Sequence, residues 1–69
     1  DLKGCNFIGA NLAGANLSSS CLEGAKLVVA NLENANLSQA NLCKAKLVGA
    51  NLKNTNLEGA NLTHTDLYC

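Results

Sequence analysis

A large apolar side chain recurs at every fifth residue, as Leu2, Phe7, Leu12, Leu17, Leu22, Leu27, Leu32, Leu37, Leu42, Leu47, Leu52, Leu57, Leu62 and Leu67. Few folds can use that period. On a helix, successive positions step by roughly 140° around the axis, so no apolar stripe forms. In a flat strand an odd period sends alternate side chains to opposite faces. The chain must therefore turn after every pentapeptide and keep each Leu inside. Each unit is too short to bury its own Leu, so stacked units supply the core, which predicts a solenoid.

The other positions carry the same grammar. Two residues before each large apolar position stands a small one, Ala at 10, 15, 25, 30, 35, 40, 45, 50 and 60, with Cys5, Ser20, Thr55 and Thr65 as variants. This is read as a second buried column. The residue immediately before the Leu is Asn at 6, 11, 16, 31, 36, 41, 51, 56 and 61 and Asp at 1 and 66, with departures at Cys21, Lys26 and Lys46. Comparing the variable positions with themselves selects an offset of twenty. Ala25-Lys26-Leu27-Val28 repeats as Ala45-Lys46-Leu47-Val48, Asn34 meets Asn54, and Ile8, Val28, Val48 and Tyr68 form one column. An offset of fifteen instead pairs Lys26 with Asn41 and Val28 with Cys43. In the twenty-residue register Lys3 falls beside Glu23, Glu33 beside Lys53 and Lys46 beside Asp66. Four pentapeptides per coil give a square cross-section.

Tandem Ala-Asn-Leu-X-X of this fidelity resembles the pentapeptide repeat family, and the motif runs through all fourteen repeats of residues 1–69. The resemblance implies an all-β fold, a right-handed quadrilateral parallel β-helix, with the Leu and the small residue inward and the rest outward. The handedness comes from the resemblance alone. Fourteen repeats make about three and a half coils, a stack only ~17 Å tall. The chain opens inside a repeat at Asp1 and has no polar cap, so it is read as an excerpt of a longer protein.

Composition removes several function classes. Five basic and five acidic residues leave a formal net charge of zero, without the electrostatic footprint of a nucleic-acid binder. The aromatics are Phe7 and Tyr68, too few for a base-stacking platform. The longest apolar stretch, Leu27 to Ala30, is far short of a membrane span, and no signal peptide is visible. No small-molecule substrate and no cofactor are expected, because a filled prism offers no concave pocket.

Four cysteines raise disulfides and metal. Vertical neighbours differ by twenty, and no two of Cys5, Cys21, Cys43 and Cys69 do. The nearest pair, Cys21 and Cys43, is placed about 8 Å apart at Cα by strand spacings, beyond the usual reach of a bridge. Free thiols are the expectation, and with them a reducing, cytoplasmic setting. Cys43 and His64 are too few for a structural zinc site. No Ser, His and Asp or Cys and His group converges, and Glu23, Glu33 and Glu58 lie on different faces or coils, so no catalytic or metal site is assigned.

Two surface features remain. The Asn columns read as structural ladders, each amide bonding its local backbone and the next Asn above. The column Ile8, Val28, Val48 and Tyr68, with Val29 beside it and Gly9 and Gly49 leaving backbone bare, is an outward apolar stripe bordered by Lys26 and Lys46. Cross-strand stacking of β-prone side chains accounts for such a column, and so does a docking surface for a partner protein or a second copy of the chain. The leading expectation is a non-enzymatic scaffold for protein binding. The resemblance also implies two alternatives: the substrate-recognition part of a cullin ubiquitin-ligase adaptor, and a DNA mimic acting on gyrase. The second needs an acidic rod, whereas this chain is neutral and matches only about five base pairs in length.

Overall fold

In the computed structural model, which describes residues 1–67, every pentapeptide is built the same way. The N–H of the small residue donates to the carbonyl of the large apolar residue three positions earlier, from Cys5 to Leu2 (3.1 Å) through Ala35 to Leu32 (2.9 Å) to Thr65 to Leu62 (3.1 Å). The second residue between them has a positive φ in all thirteen turns, supplied by Gly at 4, 9, 14, 24, 49 and 59 and by Ser19, Val29, Asn34, Gln39, Lys44, Asn54 and His64. A single positive φ at the third position of a four-residue turn marks the type II class, for which Gly and Asn are the natural occupants. The turn returns the chain inward before each Leu, and this makes a five-residue period compatible with a one-sided core.

Successive coils pair in parallel at an offset of twenty, Asn6 with Lys26, Asn11 with Asn31, Asn16 with Asn36 and Cys21 with Asn41, and so on to Lys46 with Asp66. Four pentapeptides therefore complete one circuit. Three backbone bonds join each pentapeptide to its neighbour one coil on, as in Phe7 N–H to Lys26 C=O (2.7 Å), Lys26 N–H to Cys5 C=O (2.9 Å) and Gly9 N–H to Val28 C=O (2.9 Å). The paired region of each pentapeptide is a single residue, so the sides are short rungs separated by turns. The Cα envelope measures 19 × 19 × 17 Å.

The Asn before each Leu secures the corner. All nine direct Oδ1 at the N–H two residues on, at 2.9 to 3.1 Å, and Asp1 does the same for Lys3. That N–H is the first in the turn and takes no part in the coil-to-coil ladder. The expectation of Asn-to-Asn bonds needs correction. Among the described residues each amide oxygen serves its own turn, and no hydrogen bond passes between Asn side chains one coil apart.

Inside, Leu22, Leu27, Leu32, Leu37, Leu42 and Leu47 are fully buried with Ala25, Ala30, Ala35, Ala40 and Ala45, and Ala50 is nearly so. Leu2, Phe7, Leu12, Leu17, Leu52, Leu57 and Leu62 pack against this core from above and below and are partly buried, because each has a coil on one side only. Leu67 is exposed. Thr55 and Thr65 take the small inward position by donating Oγ1–H to the carbonyls of Leu32 and Leu42 in the preceding coil, both at 2.7 Å. A hydroxyl is thus accommodated there without an unpaired polar group.

Two substitutions separate these contributions. Leu37→Ala removes a side chain with no exposure and is expected to cost about 2 to 5 kcal/mol in urea unfolding. Leu2→Ala, at the half-covered edge, costs markedly less. Asn36→Ala deletes one turn bond and costs about 1 kcal/mol, and an equal loss from both inward and corner substitutions would refute this division of labour.

Candidate apolar and basic face

Taking the four pentapeptides in order, the second side of the prism is built from residues 5–9, 25–29, 45–49 and 65–67. On it stand Ile8, Val28 and Val48, one above another at the first turn position, with Val29 at the second. Ile8 and Val29 are 53% and 57% exposed, whereas Val28 and Val48 are half-buried. Tyr68, the fourth member of the sequence column, lies outside the described residues, as does Cys69. The stripe is therefore built here from Ile8, Val28, Val29 and Val48.

Val29 carries an unusual backbone. Its φ is 51°, and it is the one β-branched residue among the positive-φ positions. A branched Cβ in the left-handed region crowds its own carbonyl, and such residues cost about 1 to 3 kcal/mol. The vertical neighbour Gly49 leaves the room it uses, whereas a β-carbon at Gly9 would meet nothing within 4 Å. A β-carbon at Gly49, where φ is +72°, would sit 3.0 Å from Val29 Cγ1. The column thus runs Gly, Val, Gly, and the branched side chain lies over the bare backbone of Gly49. The signal was present in the sequence, since Val29 stands at a repeat position held from residue 4 to residue 64 otherwise by Gly, Asn and other polar residues, but only the turn geometry makes it an outlier.

Lys26 and Lys46 stand at the corner position that Asn holds elsewhere. Neither can return an oxygen to the turn, so the N–H groups of Val28 and Val48 have no acceptor among the described residues. Both lysines are exposed and neither forms an ion pair there. Of the three charge pairs expected from the register, Lys3 and Glu23 meet at 3.8 Å. Glu33 with Lys53 and Lys46 with Asp66 form no ion pair among the described residues, although Lys46 and Asp66 are direct partners in the backbone ladder.

Elsewhere the surface offers little chemistry. Cys5, Cys21 and Cys43 are free and half-buried. Among the described residues no cavity opens and no group of three or more His, Cys, Asp or Glu gathers around a common point. No helix is long and apolar enough to cross a membrane.

Comparison with known proteins agrees with the geometry. The family profile described as Pentapeptide repeats matches residues 1–27 and 30–67. A pentapeptide repeat protein from the Arabidopsis thaliana thylakoid lumen superposes with a TM-score of 0.88 at 37% identity, covering 93% of this chain and 45% of that one. A second, from Nostoc PCC 7120, superposes with a TM-score of 0.63 at 34% identity, covering 97% of this chain and 64% of that one. The chain thus spans less than two thirds of the length of either. No curated protein sequence gives a significant match. With its motif matched along nearly the whole chain and its coils superposable on solved members, the chain belongs to the pentapeptide repeat family.

Proposed function

We propose that this chain is a non-enzymatic protein-binding scaffold, a right-handed prism of about three and a half coils that presents its second side to a partner protein. The observation that carries the reading is Val29. An exposed branched residue held at φ 51° between two glycines is disfavoured by backbone and solvent alike, and a contact made by its side chain accounts for both. Ile8, Val28 and Val48 extend that contact along the prism axis. The filled interior suits a scaffold, because it keeps the surface rigid and leaves binding to the outer face. The half-buried free thiols favour a reducing compartment, and we place the protein in the cytoplasm on that ground.

A DNA-mimicking role fits less well, since the one apolar side is bordered by Lys26 and Lys46 and the chain carries no net charge.

Val29→Gly restores the residue that the turn prefers, so it is expected to raise unfolding stability by about 1 kcal/mol while weakening partner capture. A loss of stability would show that Val29 serves the fold. Replacing both Val28 and Val48 by Lys is expected to preserve the far-ultraviolet circular dichroism and abolish capture of the partner from lysate. Identical lists for wild type and variant, read by mass spectrometry, would dismiss the scaffold reading, and loss of the β signal would make the stripe structural.

A further inference from the structure

Two features of the second side coincide at the same residues. At nine corners an Asn Oδ1 accepts the first N–H of its turn at 2.9 to 3.1 Å, so that donor is aimed outward at an oxygen just beyond the backbone. At Val28 and Val48 the donor remains and the oxygen is gone, and an unpaired ammonium, of Lys26 or Lys46, stands on the residue that removed it. Because the two turns are in register one coil apart, the two N–H groups lie about 4.8 Å from each other.

The third corner that lacks Asn or Asp behaves differently. At Cys21 the freed N–H belongs to Glu23, whose own carboxylate is adjacent and is held by Lys3 at 3.8 Å. An incoming anion would meet that carboxylate. On the second side it would meet two cations and two open backbone donors against one carboxylate, that of Asp66 beside Lys46, together with a strip of branched apolar surface.

We propose that the second side takes a peptide segment of a partner protein in which carboxylates alternate with branched apolar residues. The inference rests on the scaffold reading above and assigns the partner's chemistry. A partner carboxylate replaces the missing Asn oxygen, accepting from the N–H of Val28 or Val48 and pairing with Lys26 or Lys46. The neighbouring apolar side chains lie on Ile8, Val28, Val29 and Val48. Hydrogen bonds to an ionised acceptor are stronger than neutral ones, and the apolar strip excludes water from beside them. A second copy docking through the same side is a poorer occupant, since among the described residues that side offers its two lysines only one carboxylate, Asp66. Nucleic acid would use the cations and leave the strip bare.

The test uses the full chain and a fluorescein-labelled peptide of Asp-Val-Glu-Leu repeats, with a Lys-Val-Lys-Leu peptide of equal length as control, read by fluorescence polarisation. Wild type is expected to bind the acidic peptide and not the basic one, with affinity falling as salt rises. Lys26→Asn with Lys46→Asn returns the corner residue used at nine other positions, so the fold is retained while both donors are closed and both charges removed. Affinity should fall by at least about tenfold. Lys26→Gln with Lys46→Gln removes the charges with a side chain one methylene too long for the corner bond, and an intermediate loss is expected.

Absence of acidic-peptide binding by wild type overturns the proposal, and so does unchanged affinity in the Asn variant. Binding of duplex DNA or of anionic phospholipid vesicles in place of the peptide also overturns it. The two readings fail separately. If the Asn variant still captures a lysate protein that the Val28 and Val48 double Lys variant loses, docking on the stripe stands and the acidic class of partner falls.

Discussion

The bond from the N–H of each small residue back to the carbonyl of the preceding Leu carries the architecture. It closes a turn whose third residue has a positive φ, and the turn rotates the chain so that the next Leu faces the same interior as the last. Without it a five-residue period would scatter the Leu side chains. With it, two side chains in five are committed inward, one large and one small, and the remaining three are turned to solvent.

Everything vertical follows from that corner. Because all four sides are made alike, a coil closes after twenty residues and the next lies on it in register, with parallel partners at twenty throughout. Stacking then buries what a single coil cannot. The six Leu of residues 22–47 have essentially no exposure, while those of the coils on either side are half-covered. Burial is thus a property of the stack, as in other repeat folds. The Asn before each Leu acts in the opposite direction, outward and locally, by occupying the turn N–H that the ladder leaves over.

Such a rigid grammar turns departures into information. Six glycines and two asparagines meet the positive φ comfortably, and Val29 does not. Nine asparagines close the turn donor, and Lys26 and Lys46 leave it open. Val29, Lys26 and Lys46 share one side of the prism, while the third corner without Asn or Asp, Cys21, lies on another side and also leaves its turn N–H, that of Glu23, without an acceptor among the described residues. By contrast Thr55 and Thr65 depart from the small inward residue yet are fully accounted for, since each hydroxyl finds a carbonyl in the coil before it. The difference between a departure that the fold satisfies and one that it leaves unsatisfied directs attention to residues 25–29 and 45–49.

The sequence by itself determined the period, the inward Leu and Ala columns and the twenty-residue coil, because identical units leave each column free to be compared with itself. It also showed the stripe of Ile8, Val28 and Val48, which lie in vertical register whatever the details of the turn. It did not show that the Asn oxygens bond their own turns and leave the Asn of the next coil unbonded, since both arrangements place the same residues in one column. Nor did it show that Val29 is strained, or that the N–H groups of Val28 and Val48 are left without an acceptor. Those depend on dihedral angles and on where a donor points, which the three-dimensional turn decides and residue spacing does not encode. The same holds for the ion pairs. Three pairs of opposite charges were in register, but only Lys3 and Glu23 meet among the described residues, because register brings backbones together and the flexible side chains still choose between a partner and water.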